Sequence, residues 1–210
     1  MIPTETRQLA QWRGDFGREY VARNQPTPDL LRRRVRAWSR ILDAMGAAPP
    51  RRILEAGCNL GLNLRALRQL TDAELVGVEP NPDARARLVA DGVVPPTHAI
   101  EGSLARLPLP DASVDLAFTC GVLIHVPPFA LDEALDELHR VSARWIVAIE
   151  YFAVKPETVV YRGEDDLLFK RDFGSAWLDR FPDLEPVDCG FLWRRTTGWD
   201  DATWWLFRKP

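Results

Sequence analysis

Cysteine and histidine are scarce, at three residues each in a chain of 210, and methionine is scarcer still at two. Cys58, Cys120 and Cys189 lie far apart and form no paired motif. An odd, scattered set of thiols excludes a disulfide framework and points to a reducing, cytoplasmic setting. His98, His125 and His139 share no ligand spacing with those thiols, and no acidic triad stands near them. No catalytic metal is therefore expected. Long apolar runs are missing as well, which argues against a membrane-spanning helix and a membrane partner. Residues 1–10 are polar and lack the apolar core of a signal or anchor segment. There is no basic excess either. The formal net charge of −3 speaks against a nucleic-acid partner. The one local exception, Arg32, Arg33, Arg34 and Arg36, falls in an amphipathic pattern and reads as a solvated helix face.

What is present suits one α/β domain: 46% hydrophobic residues and eight tryptophans, five of them after residue 175. Pro26 and Pro28 open a helix in which Leu31, Val35, Trp38, Leu42 and Met45 recur at helical spacing, and Gly46 stops it. The period then changes. Strands are predicted over 52–56, 74–79, 98–101, 114–119 and 145–151, with helices over 62–70, 83–90 and 129–141 between them. That alternation describes a doubly wound, mostly parallel sheet. A polar excursion over 155–172 and a helix over 175–181 precede two closing strands, 187–193 and 203–208, read as an antiparallel hairpin at the sheet edge. The expected architecture is a single-domain, Rossmann-like, seven-stranded sheet with an N-terminal helical lid. Residues 1–48 form the N-terminal segment and first helix, and residues 49–210 the sheet domain.

The strongest local signal is Glu55-Ala56-Gly57-Cys58-Asn59-Leu60-Gly61, placed between a strand and a helix. Glycines there let the chain turn sharply and let a ligand approach without a Cβ in the way. Glu79 ends the next strand, where a carboxylate can accept hydrogen bonds from two ribose hydroxyls. A glycine loop with a downstream acid also serves NAD. This loop departs from the dinucleotide fingerprint, because an acid opens it and Asn59 stands where the middle glycine would be.

The pattern resembles the class I methyltransferases, which use S-adenosylmethionine (SAM) and whose first motif runs acid-x-Gly-x-Gly-x-Gly. The resemblance implies that Glu55, Gly57, Asn59, Gly61 and Asn63 surround the amino-acid portion of SAM. It implies that Glu79 holds the ribose, and that Ser103 and Leu104, after Gly102, flank the adenine. Gly121 ends the fourth-strand motif. A narrower similarity is carried by residues 14–24, by Gly121-Val122-Leu123-Ile124-His125, by Glu150-Tyr151, and by Tyr161-Arg162-Gly163-Glu164. Residues 168–173 and Asp200-Asp201-x-Thr203-Trp204 extend it. These stretches are similar to the pseudaminic acid biosynthesis-associated methylases.

That similarity leaves several functions open. One is methyl transfer to a small-molecule acceptor of sugar-acid or natural-product type. A second is the reaction of the azetidine-2-carboxylate synthases, in which SAM cyclises through its own amine and releases methylthioadenosine. A third is SAM binding without turnover. No Asn-Pro-Pro-Tyr motif follows the fourth strand, so a small substrate is expected. Oligomeric state is not legible.

The remaining candidates follow from position. Tyr20, Arg23 and Asn24 precede the core, where such enzymes often place a lid. Tyr20 would face the sulfonium and Arg23 the SAM carboxylate, with a plain surface helix as the competing role. His125 follows the fourth strand at the carboxyl edge, as a base or as a structural histidine. Tyr151 ends the fifth strand. Tyr161 and Arg162 lie in the polar excursion with Lys170, Arg171 and Asp172, either gripping an acidic substrate or forming a surface ion cluster. Trp204 and Trp205, adjacent in a strand, must face opposite sides of the sheet.

Overall fold

The computed structural model describes residues 5–210, so the first four residues of the polar N-terminal stretch lie outside the described residues. Two short helices come first, α1 (Arg7–Arg13) and α2 (Asp15–Arg23). The long helix α3 (Pro28–Ala44) follows, with proline in its first turn and the Thr27 hydroxyl accepting from the Leu30 N–H at 3.2 Å. Its start, its stop at Gly46 and its buried stripe of Ala37, Trp38 and Ile41 agree with the helical period of the sequence.

The strands β1 (Arg52–Ala56), β2 (Glu74–Val78), β3 (Ala99–Ile100), β4 (Val114–Cys120) and β5 (Ser142–Glu150) run parallel. Helices α4 (Leu62–Leu67), α5 (Pro82–Ala90) and α6 (Leu131–Val141) connect them. A hairpin of β6 (Glu157–Tyr161) and β7 (Glu164–Lys170) stands apart as its own two-stranded sheet. Then come α7 (Phe173–Arg180), β8 (Glu185–Leu192), the short α8 (Arg194–Thr197) and β9 (Ala202–Arg208).

The seven-stranded sheet has the order β3-β2-β1-β4-β5-β9-β8, with β9 antiparallel between β5 and the edge strand β8. From β1 the chain moves outward to β2 and β3, then returns to place β4 on the other side. The carboxyl ends of β1 and β4 therefore bound the topological switch point, where open α/β sheets bind ligands.

Side-chain alternation along the strands builds a core on each face of the sheet. On one face Trp38 and Ile41 of α3 meet Ile53, Phe118, Trp145 and Trp204; on the other, Leu135 and Leu138 of α6 and Trp177 of α7 meet Leu54, Ile146 and Phe207. Trp204 and Trp205 do face opposite sides, and both serve packing.

The excursion over 155–172 is not the open polar loop that its charges suggested. Arg162 and Gly163 both adopt positive φ, at 54° and 86°, forming the two-residue turn of a hairpin whose Leu167, Leu168 and Phe169 are buried. Glu164, Asp165 and Asp166 masked that alternation in the sequence.

Candidate functional site

The turn after β1 is built for close approach. Gly57 has φ +77°, and a Cβ there would stand 2.6 Å from a Val122 methyl carbon. Asn59 takes the position of the motif's middle glycine at φ 46°, a left-handed conformation that asparagine tolerates. Its backbone N–H donates to Glu79 Oε2 at 2.7 Å, and the Asn81 N–H donates to Glu79 Oε1 at 2.8 Å. Burial pushes the Glu79 carboxyl up to about 7, and these two amides pull it back. Glu79 therefore stands at the carboxyl end of β2 with each oxygen fixed and a lone pair left on each.

Glu55, at the end of β1, is 2% exposed. Asn63 of α4 donates to its Oε1 at 2.6 Å, and Asn63 is held in turn by the Trp38 indole N–H at 3.3 Å. Glu55 Oε2 is buried with no hydrogen-bond partner among the described residues, and burial pushes the carboxyl up to about 8. Arg34 reaches the same cleft from α3. Its guanidinium lies 4.7 Å over the Trp199 ring, its Nε is buried and unpartnered among the described residues, and its charge favours the Glu55 carboxylate. A buried acceptor and a buried donor thus face one cleft, each lacking a partner.

Helices α1 and α2 roof the cleft with Thr6, Leu9, Trp12, Tyr20 and Asn24. Trp12 packs edge-on against both Tyr20 and His125, at centroid distances of 5.1 and 4.8 Å. Burial pushes the Tyr20 hydroxyl up to about 12, so it remains a neutral phenol. Asn24 uses its side-chain N–H₂ to cap α2, donating to the Tyr20 carbonyl at 2.9 Å. The roof is tied at two places. Asn81 Nδ2 donates to the Trp12 carbonyl at 3.1 Å, while Arg7 pairs with Glu164 and Asp166 of β7.

His125 ends a single 3-10 turn, Leu123–His125, after β4. Its Nδ1 lies 2.5 Å from the Leu167 carbonyl oxygen, which can only accept, so Nδ1 carries the proton and Nε2 keeps its lone pair. Burial pushes the ring down to about 4, and it is neutral at physiological pH.

Of the residues singled out in the sequence, the cleft gathers Tyr20, Asn24, Glu55, Gly57, Asn59, Asn63, Glu79, Ser103, Leu104, Gly121 and His125. Five others do not line it. Arg23 lies over the rings of Phe16 and Tyr20, 5.8 and 5.4 Å from their centroids, and within 3.9 Å of Glu19. Gly61 is a packing glycine at φ +65°, since a Cβ would meet Leu88 at 2.6 Å. Tyr151 donates its hydroxyl to Asp200 at 3.1 Å. Tyr161 stands behind His125, 5.4 Å between ring centroids, and Arg162 is exposed at the hairpin turn. Trp12 and Arg34 were missed. Arg34 also corrects the reading of the arginine run as a solvated face. It is four residues before Trp38 and seven before Ile41, so the helical period turns it inward.

Among the described residues no three His, Cys, Asp or Glu side chains gather as a metal set, and no helix is long and apolar enough to cross a membrane.

Residues 54–144 match the family model described as "Methyltransferase domain". The chain is 29% identical over 132 residues to 24-methylenesterol C-methyltransferase 2 of Oryza sativa subsp. japonica, covering 57% of this chain and 36% of that protein. It is 25% identical over 125 residues to the sterol 24-C-methyltransferase of Yarrowia lipolytica, covering 54% and 32%. The chain thus spans about a third of the length of these curated relatives.

Among solved structures, it resembles the 1,6-didemethyltoxoflavin-N1-methyltransferase of Burkholderia thailandensis bound to its acceptor and S-adenosylhomocysteine (TM-score 0.66, 19% identity, 96% and 84% of the two chains covered). It also resembles the SAM-bound magnesium protoporphyrin IX methyltransferase of Synechocystis PCC 6803 (TM-score 0.68, 12% identity, 98% and 99% covered). The fold is the Rossmann-like fold of the class I SAM-dependent methyltransferases.

Proposed function

We propose that the chain is a SAM-dependent methyltransferase that acts on a small-molecule acceptor. The observation that carries this reading is that Glu55 and Arg34, each with an unpartnered buried polar atom, line the same cleft as Glu79, whose two carboxylate oxygens are each fixed by an amide. An α-amino acid presents the complementary pair, an ammonium for Glu55 and a carboxylate for Arg34. Glu79 would take the ribose hydroxyls, and Leu104 and Val122 would wall the adenine.

Bound SAM supplies a methyl group activated by its sulfonium. The chain's own residues position and enclose it. The rings of Trp12 and Tyr20 cover the cleft and exclude water, and Nε2 of His125 offers a lone pair for the acceptor's proton. In-line displacement needs little more than such placement. The small size of the acceptor is supported by the printed acceptors of the relatives, sterols and 1,6-didemethyltoxoflavin. An acceptor from a sugar-acid or natural-product pathway, in a cytoplasmic setting, is supported by the resemblance to the pseudaminic acid-associated methylases and by the scattered free thiols.

Incubation of the protein with SAM alone, followed by mass spectrometry, tests the reaction type. Intact SAM is expected, with S-adenosylhomocysteine released only when an acceptor from a metabolite panel is added. Methylthioadenosine formed from SAM alone would select intramolecular cyclisation instead.

The Arg7 latch bears on access to the cleft. Exposed ion pairs are weak, so Arg7→Ala is expected to speed S-adenosylhomocysteine dissociation only about two- to fivefold. Stopped-flow tryptophan fluorescence would measure it, and an unchanged rate would show that the latch does not govern opening.

A further inference from the structure

Glu150 is the last residue of β5 and is fully buried, yet the chemistry proposed above makes no use of it. Its Oε1 accepts from the backbone N–H groups of Val122 and Leu123, each at 3.2 Å, and its Oε2 accepts from the Ile124 N–H at 3.3 Å. Three successive amides converging on one carboxylate form an anion-holding concavity, occupied here by a side chain of the protein itself. These amides open the 3-10 turn, and without an acceptor they would be orphaned inside the fold. The segment begins at Gly121, with φ +65° and its own N–H bonded to the Ile149 carbonyl at 2.8 Å. Gly121, Val122, His125 and Val126 all line the cleft. One carboxylate therefore anchors the turn that carries these lining residues.

We infer that Glu150 is a positioning residue, which holds Val122 and His125 in the cleft by binding the backbone of the turn that carries them. The inference rests on the SAM reading of that cleft. Glu150 itself does not line the cleft. Burial pushes its carboxyl up to about 7, while Thr119 and the same three amides pull it down, so the contacts that place the turn are the ones that favour the charge.

The test is Glu150→Gln, with S-adenosylhomocysteine as the probe at pH 8. The glutamine oxygen can serve two of the amides, but its N–H₂ then faces the third, donor against donor. Affinity is expected to fall about tenfold, the loss of roughly one charge-assisted hydrogen bond. The thermal midpoint should not fall, because a costly buried charge is also removed. The Val122, Leu123 and Ile124 amide proton resonances should move upfield, with those of the β6–β7 hairpin unmoved. Wild-type affinity in the variant overturns the inference while leaving the SAM reading intact. A fall in midpoint that accompanies the affinity loss also overturns it, in favour of a general structural role. Absence of binding by the unsubstituted protein removes the SAM reading itself. Should the variant not fold, amide hydrogen exchange of the unsubstituted protein decides. Protection of Val122, Leu123 and Ile124 comparable to β4 supports the inference, and exchange at the rate of an open loop overturns it.

Discussion

Replacing Glu79 with alanine is expected to weaken S-adenosylhomocysteine binding about 100-fold. The carboxylate stands with one lone pair on each oxygen free, the other being taken by the Asn59 or Asn81 amide. Two ribose hydroxyls would each donate a charge-assisted hydrogen bond, and two such bonds together account for a change of about that size. The Asn59 and Asn81 amides lose their partner in the variant, so some loss of stability accompanies the change. Glu79→Gln separates the effects, since it keeps the shape and one acceptor oxygen. Calorimetric titration of both variants, with thermal midpoints measured in parallel, would check the assignment. Alanine and glutamine variants that bind as tightly as the unsubstituted protein would remove Glu79 from the site.

The second large effect is a dependence of ligand affinity on pH. Burial pushes the carboxyls of Glu55, Glu79 and Glu150 up to about 8, 7 and 7. Between about pH 4.5 and 7 all three therefore hold protons in the native state that the unfolded chain has released. The native state binds more protons than the unfolded state from about pH 4.5 upward, so these residues make the unliganded protein less stable as pH rises from there to about 8.

Ligand binding has the opposite sign. An ammonium group opposite Glu55 favours its carboxylate form, so binding below about pH 8 releases a proton and is favoured by alkali. Affinity for S-adenosylhomocysteine is expected to rise from pH 6 to 8, with Glu55 contributing a slope approaching tenfold per unit and Glu79 steepening it below about pH 7, where it too must ionise to accept the ribose hydroxyls. Above about pH 8 the ligand's own amine begins to lose its proton, and affinity turns down. Glu55→Gln should flatten the limb between about pH 7 and 8 and leave the Glu79 dependence below it. Titrations across pH 6 to 9, in two buffers of different ionisation enthalpy, would count the protons released. A flat profile with no proton release would place the ligand's amine elsewhere.

Much of this site is legible in the sequence because it rests on backbone geometry that few residues can adopt. The positive φ of Gly57 and Gly61, the acid before them and the acid ending the next strand are one connected local pattern. The parallel strands were legible for the same reason, as short apolar runs between helices of regular period. What was not legible depends on contacts distant in sequence. Arg34 resembled its solvated neighbours Arg32 and Arg36, and only its register with Trp38 and Ile41 turns it toward the cleft. Arg162 and Gly163 carried the signal of a two-residue turn, but the three consecutive acids after them hid the strand they begin. Tyr161 and Arg162 therefore looked like recognition residues of a loop, and Tyr151 like a strand-end residue of the site, whereas hairpin formation and the hydroxyl bond to Asp200 keep them off the cleft lining. Glu150 stood within a recognised motif, yet its bond to three amides 26 to 28 residues earlier is invisible until the turn is folded.

Titration calorimetry of the unsubstituted protein with SAM at pH 8 bears most directly on the identity of the cleft. Saturable binding at one site per chain is expected, with S-adenosylhomocysteine competing and NAD without effect. No binding of SAM, or binding that NAD displaces equally well, would contradict the assignment of Glu55, Arg34 and Glu79 to a SAM site.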